Sequence, residues 1–260
     1  MLSKNADNEV IVAVDHGLHH GVFERFEDPE ATLETLLDTG VDGFLAGVPF
    51  FRRFEDQLDA HSNMIKIATI DLIHNSTFPG EDEGTEIHQQ VFSVEEAARI
   101  GADAIEAALV SGREDPDVLE QNTNFIVSAS ETARQFDLAS VVEPTLWGKR
   151  ADNELHAERL AHANRIGFEL GADVLKSPYP GDPDSFEPIV DNAPLPVYIA
   201  GGPATETDRE ALGMVKGAMD VGANSVMIGR NIWQREDPAE IVAQMSAIVH
   251  GGATVDEALE

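Results

Sequence analysis

Apolar residues gather along the chain in eight short runs, at 10–14, 43–48, 64–70, 104–110, 139–143, 174–177, 197–200 and 225–228. The runs are continuous rather than alternating, which is the pattern of strands covered on both faces. Between them lie segments with apolar positions at helical spacing, at 28–38, 94–100, 117–136, 154–170, 184–191 and 207–221, and a last one follows at 237–249. Several open on an Asp or Ser that can cap the first turn, with more acid behind it to complement the positive helix end. A weak repeat marks the junctions. Thr39-Gly40-Val41-Asp42-Gly43-Phe44, Ile100-Gly101-Ala102-Asp103-Ala104-Ile105, Leu170-Gly171-Ala172-Asp173-Val174-Leu175 and Val221-Gly222-Ala223-Asn224-Ser225-Val226 each leave a helix through a glycine and enter an apolar run. Glycine suits the left-handed position just past a helix end.

Buried strands alternating with helices specify a parallel sheet, and eight such units in roughly 250 residues have the size of a (β/α)8 TIM barrel. An open doubly wound sheet is the alternative. No Pro- or Gly-rich linker divides the chain, so residues 1–260 read as a single barrel domain. Segment 71–90 is long for a connection and contains Pro79-Gly80-Glu81-Asp82-Glu83-Gly84, which suggests a loop able to act as a lid.

Charge narrows the partners. With 17 Lys plus Arg against 48 Asp plus Glu, the formal net charge is −31, and the longest basic clusters are pairs such as Arg52-Arg53 and Lys149-Arg150. Nucleic acid and anionic membrane are therefore not expected partners. Only five of the seventeen cations are Lys, and acid is spread over every expected helix. That pattern suits a halophilic cytoplasm, the bland alternative being an acidic mesophilic protein. The absence of Cys removes disulfides, thiolate catalysis and Cys-bound zinc. No apolar run approaches the roughly 18 residues of a membrane span, and residues 1–9 contain no signal-peptide core. The expectation is a soluble, cytoplasmic protein.

In a barrel of this kind, chemistry belongs at the C-terminal ends of the strands. The seventh run ends Ile199-Ala200-Gly201-Gly202-Pro203 and the eighth ends Met227-Ile228-Gly229-Arg230-Asn231. Gly201, Gly202 and Gly229 let backbone N–H groups approach an anion, and Arg230 adds a bidentate charge, so the two loops together suggest a phosphate site. Turn glycines beside a surface Arg are the plain alternative. Lys176 interrupts the sixth run. A buried ammonium is costly, so its pKa is expected to fall, leaving a neutral amine able to attack a carbonyl. Alternatively, Lys176 snorkels past the rim. Lys66 is the rival, but it lies early in its strand. Asp15 and His16 end the first run, where a carboxylate can orient a hydroxyl or accept its proton. The cluster His16, His19 and His20 lacks a carboxylate at a metal-ligand spacing, so no metal is assigned. Glu143 ends the fifth run, where it would be a proton shuttle or a salt-bridged rim residue. No cofactor is called for.

With these residues in view, the chain resembles the archaeal-type class I aldolases, the metal-independent Schiff-base family that includes fructose-1,6-bisphosphate aldolase, 2-amino-3,7-dideoxy-D-threo-hept-6-ulosonate synthase and the phosphonooxypentanedione thiolase. Four blocks carry the resemblance: Val14-Asp15-His16-Gly17, residues 171–182 around Leu175-Lys176-Ser177-Pro178, residues 196–203, and residues 222–238 with Gly229-Arg230-Asn231-Ile232-Trp233-Gln234. It implies that Lys176 is the Schiff-base lysine, that Asp15 orients hydroxyls and helps proton transfer, and that Gly201, Gly202, Gly229 and Arg230 hold phosphate. It also implies a homo-oligomer. One departure stands out. Where the family has Tyr-Pro-Arg-Gly, whose Tyr is its general acid and base, this chain has Thr145-Leu146-Trp147-Gly148. The Thr-x-x-Gly-Lys pattern is nearer the thiolase branch, and Glu143-Pro144 resembles the tagatose-bisphosphate and sulfosugar aldolases.

The expected activity is carbon–carbon cleavage or formation in a phosphorylated sugar through an imine on Lys176, with Asp15 and Glu143 moving protons. His16, Thr145, Trp147 and Ser177 are candidate substrate contacts. Transfer chemistry of the synthase or thiolase kind, and a non-catalytic sugar-phosphate binding protein, are the alternatives.

Overall fold

The computed structural model describes residues 2, 8–61, 63–74, 76–78, 81 and 86–260. Among them ten strands form: β1 (Val10–Ala13), β2 (Gly43–Gly47), β3 (Ile65–Thr69), β4 (Asp71–His74), β5 (Ile87–Gln90), β6 (Ala104–Val110), β7 (Ala139–Thr145), β8 (Val174–Pro178), β9 (Val197–Ala200) and β10 (Ser225–Ile228). All but β4 and β5 close a parallel barrel in the order β1-β10-β9-β8-β7-β6-β3-β2, so the eight apolar runs become its eight staves. Helices α1 (His16–His20) and α2 (Pro29–Leu37) follow β1, and α3 (Val48–Arg53) and α4 (Glu55–Asp59) follow β2. The layer continues with α5 (Val94–Arg99), α6 (Pro116–Gln135), α7 (Ala157–Glu169), α8 (Pro183–Asp191) and α9 (Asp208–Asp220). After β10 come α10 (Arg230–Trp233), α11 (Pro238–Val249) and α12 (Val255–Ala258). None of these helices is long and apolar enough to cross a membrane.

Local chemistry fixes the helix starts. Helices α2, α6, α8 and α11 each open on Asp-Pro, at Asp28, Asp115, Asp182 and Asp237, whose carboxylates accept backbone N–H bonds from the first turn. The proline that follows has no N–H to leave unsatisfied there.

Successive strand residues point to opposite faces. Ile11, Leu45, Ile67, Val141, Val174 and Met227 form one buried cluster, the barrel interior. Their neighbours Val12, Ala46, Ala68, Val142, Leu175 and Ile228 belong to the larger cluster shared with the helices. That double coverage is why the strands read as continuous apolar runs.

Segment 71–90 is not the loose loop that its sequence suggests. It forms an antiparallel hairpin in which Asp71 pairs with Gln90 and His74 with Ile87, while residues 79–80 and 82–85 of the turn lie outside the described part of the chain. A buried relay clamps its base. Asp71 Oδ2 accepts from Ala108 N at 2.9 Å and lies 2.7 Å from His88 Nε2, and Arg113 lies 2.8 Å from His88 Nδ1. Arg113 can only donate, so Nδ1 accepts and the His88 proton sits on Nε2, facing Asp71. Glu86 adds a second tie by accepting backbone N–H bonds from Glu114 and Lys149, both at 2.9 Å. Replacing His88 by Phe keeps the ring volume but strands Asp71 and Arg113. A loss of about 3 kcal/mol is expected, or a melting temperature lower by roughly 6–12 °C. An unchanged melting curve would show that the relay does not hold the hairpin.

Candidate active site

Continuing the two-residue period from the interior cluster brings Asp15, Thr69, Glu106, Glu143, Thr145 and Lys176, from β1, β3, β6, β7 and β8, onto the inner face of the barrel. Every one of them is buried. The central contact is Lys176 Nζ donating to Glu143 Oε2 at 2.9 Å. Lys176 therefore does not snorkel to the rim, and Glu143 is not a rim residue. Lys66 lies on the other face of β3, where its Nζ pairs with Asp59 at 2.6 Å.

The expected fall in the lysine pKa is overturned. Burial lowers it, but Glu143, Glu106 and Asp15 surround the amine, and their summed attraction raises it above the ordinary lysine value. In the free protein Lys176 is an ammonium, so a proton acceptor is needed before it can attack a carbonyl. Glu143 is in place for that.

The carboxyls around the amine are not all shifted the same way. Burial would raise Asp15, yet the facing imidazoles of His16 and His19 and the charge of Lys176 hold it well below the usual carboxylate range. Thr69 Oγ1 also donates to Asp15 Oδ2 at 3.0 Å. Glu106 goes the other way. Burial pushes it well up, Lys176 opposes, and the neighbouring charges of Asp71, Glu143 and Asp15 add to the rise. Glu106 was hidden within the apolar run 104–110, where a lone acid was the available signal.

Helix α1 lays three imidazoles across the mouth. His16 Nδ1 stands 3.5 Å from Asp15 Oδ1 and His19 Nε2 stands 3.7 Å from Asp15 Oδ2. The His16 ring packs edge-on against Phe23 and Trp233, while His20 packs against Phe23. Burial and the nearby His19, His16 and Arg230 charges drop the His20 pKa to about 4. Among the described residues no three His, Asp or Glu side chains are arranged to hold a metal ion.

The glycine loops meet beside this cluster. A Cβ on Gly229 would come within 2.6 Å of both Ala13 O and His16 Cε1, and one on Gly201 within 2.7 Å of Ile228 Cγ2, so both positions admit only glycine without movement. Gly202 has φ +60°. Asn231, buried and not singled out from sequence, joins the two loops: its Nδ2 donates to Gly201 O and Pro203 O, and its Oδ1 accepts from Thr205 N. Arg230 Nε is buried without a partner, and no carboxylate among the described residues forms an ion pair with Arg230. Burial lowers its pKa, and an anion in the cradle would supply the missing counter-charge.

One candidate contact changes. Ser177, next to Lys176, must face the opposite way. Its Oγ accepts from Asn164 Nδ2 of α7 at 3.0 Å, which places it in the helix layer and out of reach of substrate. Trp147 is 38% exposed on the loop after β7. Thr145 stays buried inside, its Oγ1 without a partner. Neither tyrosine replaces the absent phenol. Tyr179 packs on Phe186, and Tyr198 donates to Glu9 below the site.

The model of the DeoC/LacD family aldolases matches residues 9–235. A class 1 fructose-bisphosphate aldolase of Halobacterium salinarum is 34% identical over 256 residues, covering 96% of this chain and 93% of that protein. The 2-amino-3,7-dideoxy-D-threo-hept-6-ulosonate synthase of the same organism is 32% identical over 255 residues, covering 97% and 91%. Among solved structures, an archaeal fructose-1,6-bisphosphate aldolase with its catalytic Lys covalently bound to the carbinolamine intermediate superposes with a TM-score of 0.83 at 30% identity, covering 94% of this chain and 95% of that one. With its barrel, its buried lysine and this match over most of its length, the chain belongs to the DeoC/LacD aldolase family.

Proposed function

We propose that this protein is a metal-independent class I aldolase that cleaves or forms a carbon–carbon bond in a phosphorylated sugar, with fructose 1,6-bisphosphate the first substrate to try. The observation that carries the reading is the buried Lys176–Glu143 contact at 2.9 Å, in a barrel whose Arg230 has no ion-pair partner among the described residues. Glu143 takes a proton from the Lys176 ammonium, and the freed amine adds to the ketone carbonyl. Returning that proton to the carbinolamine hydroxyl expels water and leaves the iminium. Loss of the substrate's hydroxyl proton to Asp15 lets the adjacent carbon–carbon bond break, its electron pair passing into the iminium to give an enamine. Protonation of the enamine and hydrolysis of the imine restore Lys176. Gly201, Gly202, Gly229 and Arg230 anchor the phosphate.

Transfer in place of cleavage is the second reading. It is favoured by the near-equal identity to the aldolase and the synthase of one organism and by Thr145 in the position of the phenol. Borohydride trapping with a panel of ketose phosphates, followed by mass spectrometry, tests mechanism and substrate class together. A chelator should leave trapping unchanged, and a panel without any adduct would overturn the Schiff-base reading.

The anchor has its own test. Replacing Arg230 by Ala removes a charge-assisted contact of roughly 1.5–3 kcal/mol, so KM on phosphorylated substrates should rise by about one to two orders of magnitude. KM on unphosphorylated analogues should barely move. Equal losses on both would make Arg230 a structural residue.

A further inference from the structure

His19 is the imidazole of α1 that is held by a backbone hydrogen bond on one side and faces a carboxylate on the other. On one side Ile73 of β4 donates its backbone N–H to Nδ1 at 3.3 Å. On the other, Nε2 faces Asp15 Oδ2 at 3.7 Å, four residues earlier in the chain. Because Ile73 claims Nδ1, the neutral ring carries its proton on Nε2, and the protonated ring carries one there as well. In either state Nε2 presents a donor towards Asp15. Asp15, Asp71 and Glu143 are the carboxylates that act on the ring, and His20 lies beside it.

A separation of 3.7 Å is too long for a hydrogen bond between the two groups. It does admit a hydroxyl oxygen at about 2.8 Å from both. We propose that His19 is a further catalytic residue. It donates Nε2–H to the same substrate oxygen whose proton Asp15 accepts, and the pair does the work of the absent phenol. This rests on the Schiff-base reading above. In cleavage the hydroxyl proton passes to Asp15, the carbon–carbon pair passes to the iminium, and the oxygen becomes a carbonyl while His19 keeps its proton and steadies the negative charge that develops. In the reverse direction the same N–H polarises the aldehyde for attack by the enamine. The hairpin then has a catalytic purpose, since the Asp71–His88–Arg113 clamp holds the strand that supplies Ile73.

The test compares His19→Ala with His19→Gln on fructose 1,6-bisphosphate, or on whichever ketose phosphate the trapping panel selects. His19→Ala should lower kcat by roughly 10²-fold with KM changed less than about threefold, while borohydride still labels Lys176. His19→Gln, whose amide N–H reaches the position of Nε2, should recover about tenfold or more of that loss. The proposal is overturned if His19→Ala retains near wild-type kcat, if its labelling falls in step with kcat, or if Gln rescues nothing. Failure of the wild type to label at all would instead remove the Schiff-base reading beneath it.

Discussion

Lys176→Ala should lower turnover by roughly 10⁵-fold or more, because among the described residues no other lysine lies on the inner face of the barrel. Borohydride with a ketose phosphate should inactivate the wild type and place the adduct on Lys176. The alanine variant has a second consequence. It leaves Glu143 and Asp15 buried without their cation, and breaking a buried pair costs about 3–5 kcal/mol, so loss of activity alone would not separate chemistry from folding. Lys176→Arg resolves this. A guanidinium keeps the charge beside Glu143 but does not lose its proton to become a nucleophile. The arginine variant should therefore melt nearer the wild type than the alanine variant does, bind phosphate through Arg230, and remain inactive. An adduct on Lys66, which faces Asp59 on the other side of its strand, or activity in either variant, would sink the assignment.

Lys176 shows how far the sequence could be read. A lone cation in an apolar run, next to a Ser-Pro stop, marks a strand end, and with Glu143 ending the preceding expected strand the pair could be foreseen. The direction of the lysine pKa could not. It depends on how many carboxylates converge on the amine, and Glu106 and Asp15 arrive from β6 and from the end of β1, far off in the chain. Glu106 bears the same signature as Lys176, one charge in an apolar run, but it lies mid-strand rather than at an end. Ser177 was recoverable in principle: once Lys176 points inward, the two-residue period sends Ser177 outward. The hairpin was harder. Its strands are only partly buried and rich in His and Gln, so neither periodicity nor apolar content reveals them. Their pairing depends on a relay from Asp71 to Arg113 that spans 42 residues of chain (113 − 71). Asn231 lay in plain view within a quoted motif, yet its role as a tie between two glycine loops exists only once β9 and β10 are neighbours.

Glu143 is the group whose removal should lower the amine's pKa and yet slow imine formation. Its carboxylate is the strongest attraction holding the Lys176 proton, so Glu143→Gln should move the amine's pKa down. The lysine then loses its proton at lower pH, and the pH at which borohydride labelling reaches half its plateau should shift to the acid side of the wild-type value. The shift follows from sign alone: removing a negative neighbour favours the neutral amine. Turnover should move the other way. Without a carboxylate to return the proton to the carbinolamine hydroxyl, kcat should fall by roughly 10² to 10⁴, the usual range for one general acid–base group. The variant should thus still label on Lys176 on long incubation, with its midpoint at lower pH, while labelling and turnover are both slowed. Thr145→Tyr should not restore activity. The Thr145 side chain is fully buried on the same inner face as Lys176 and Glu143, so a larger phenol there would need its neighbours to move. If Glu143→Gln turns over near the wild-type rate while Asp15→Asn is inactive, the proton steps at nitrogen do not pass through Glu143. Its contact with Lys176 would then be an ion pair that sets the charge of the amine and nothing more.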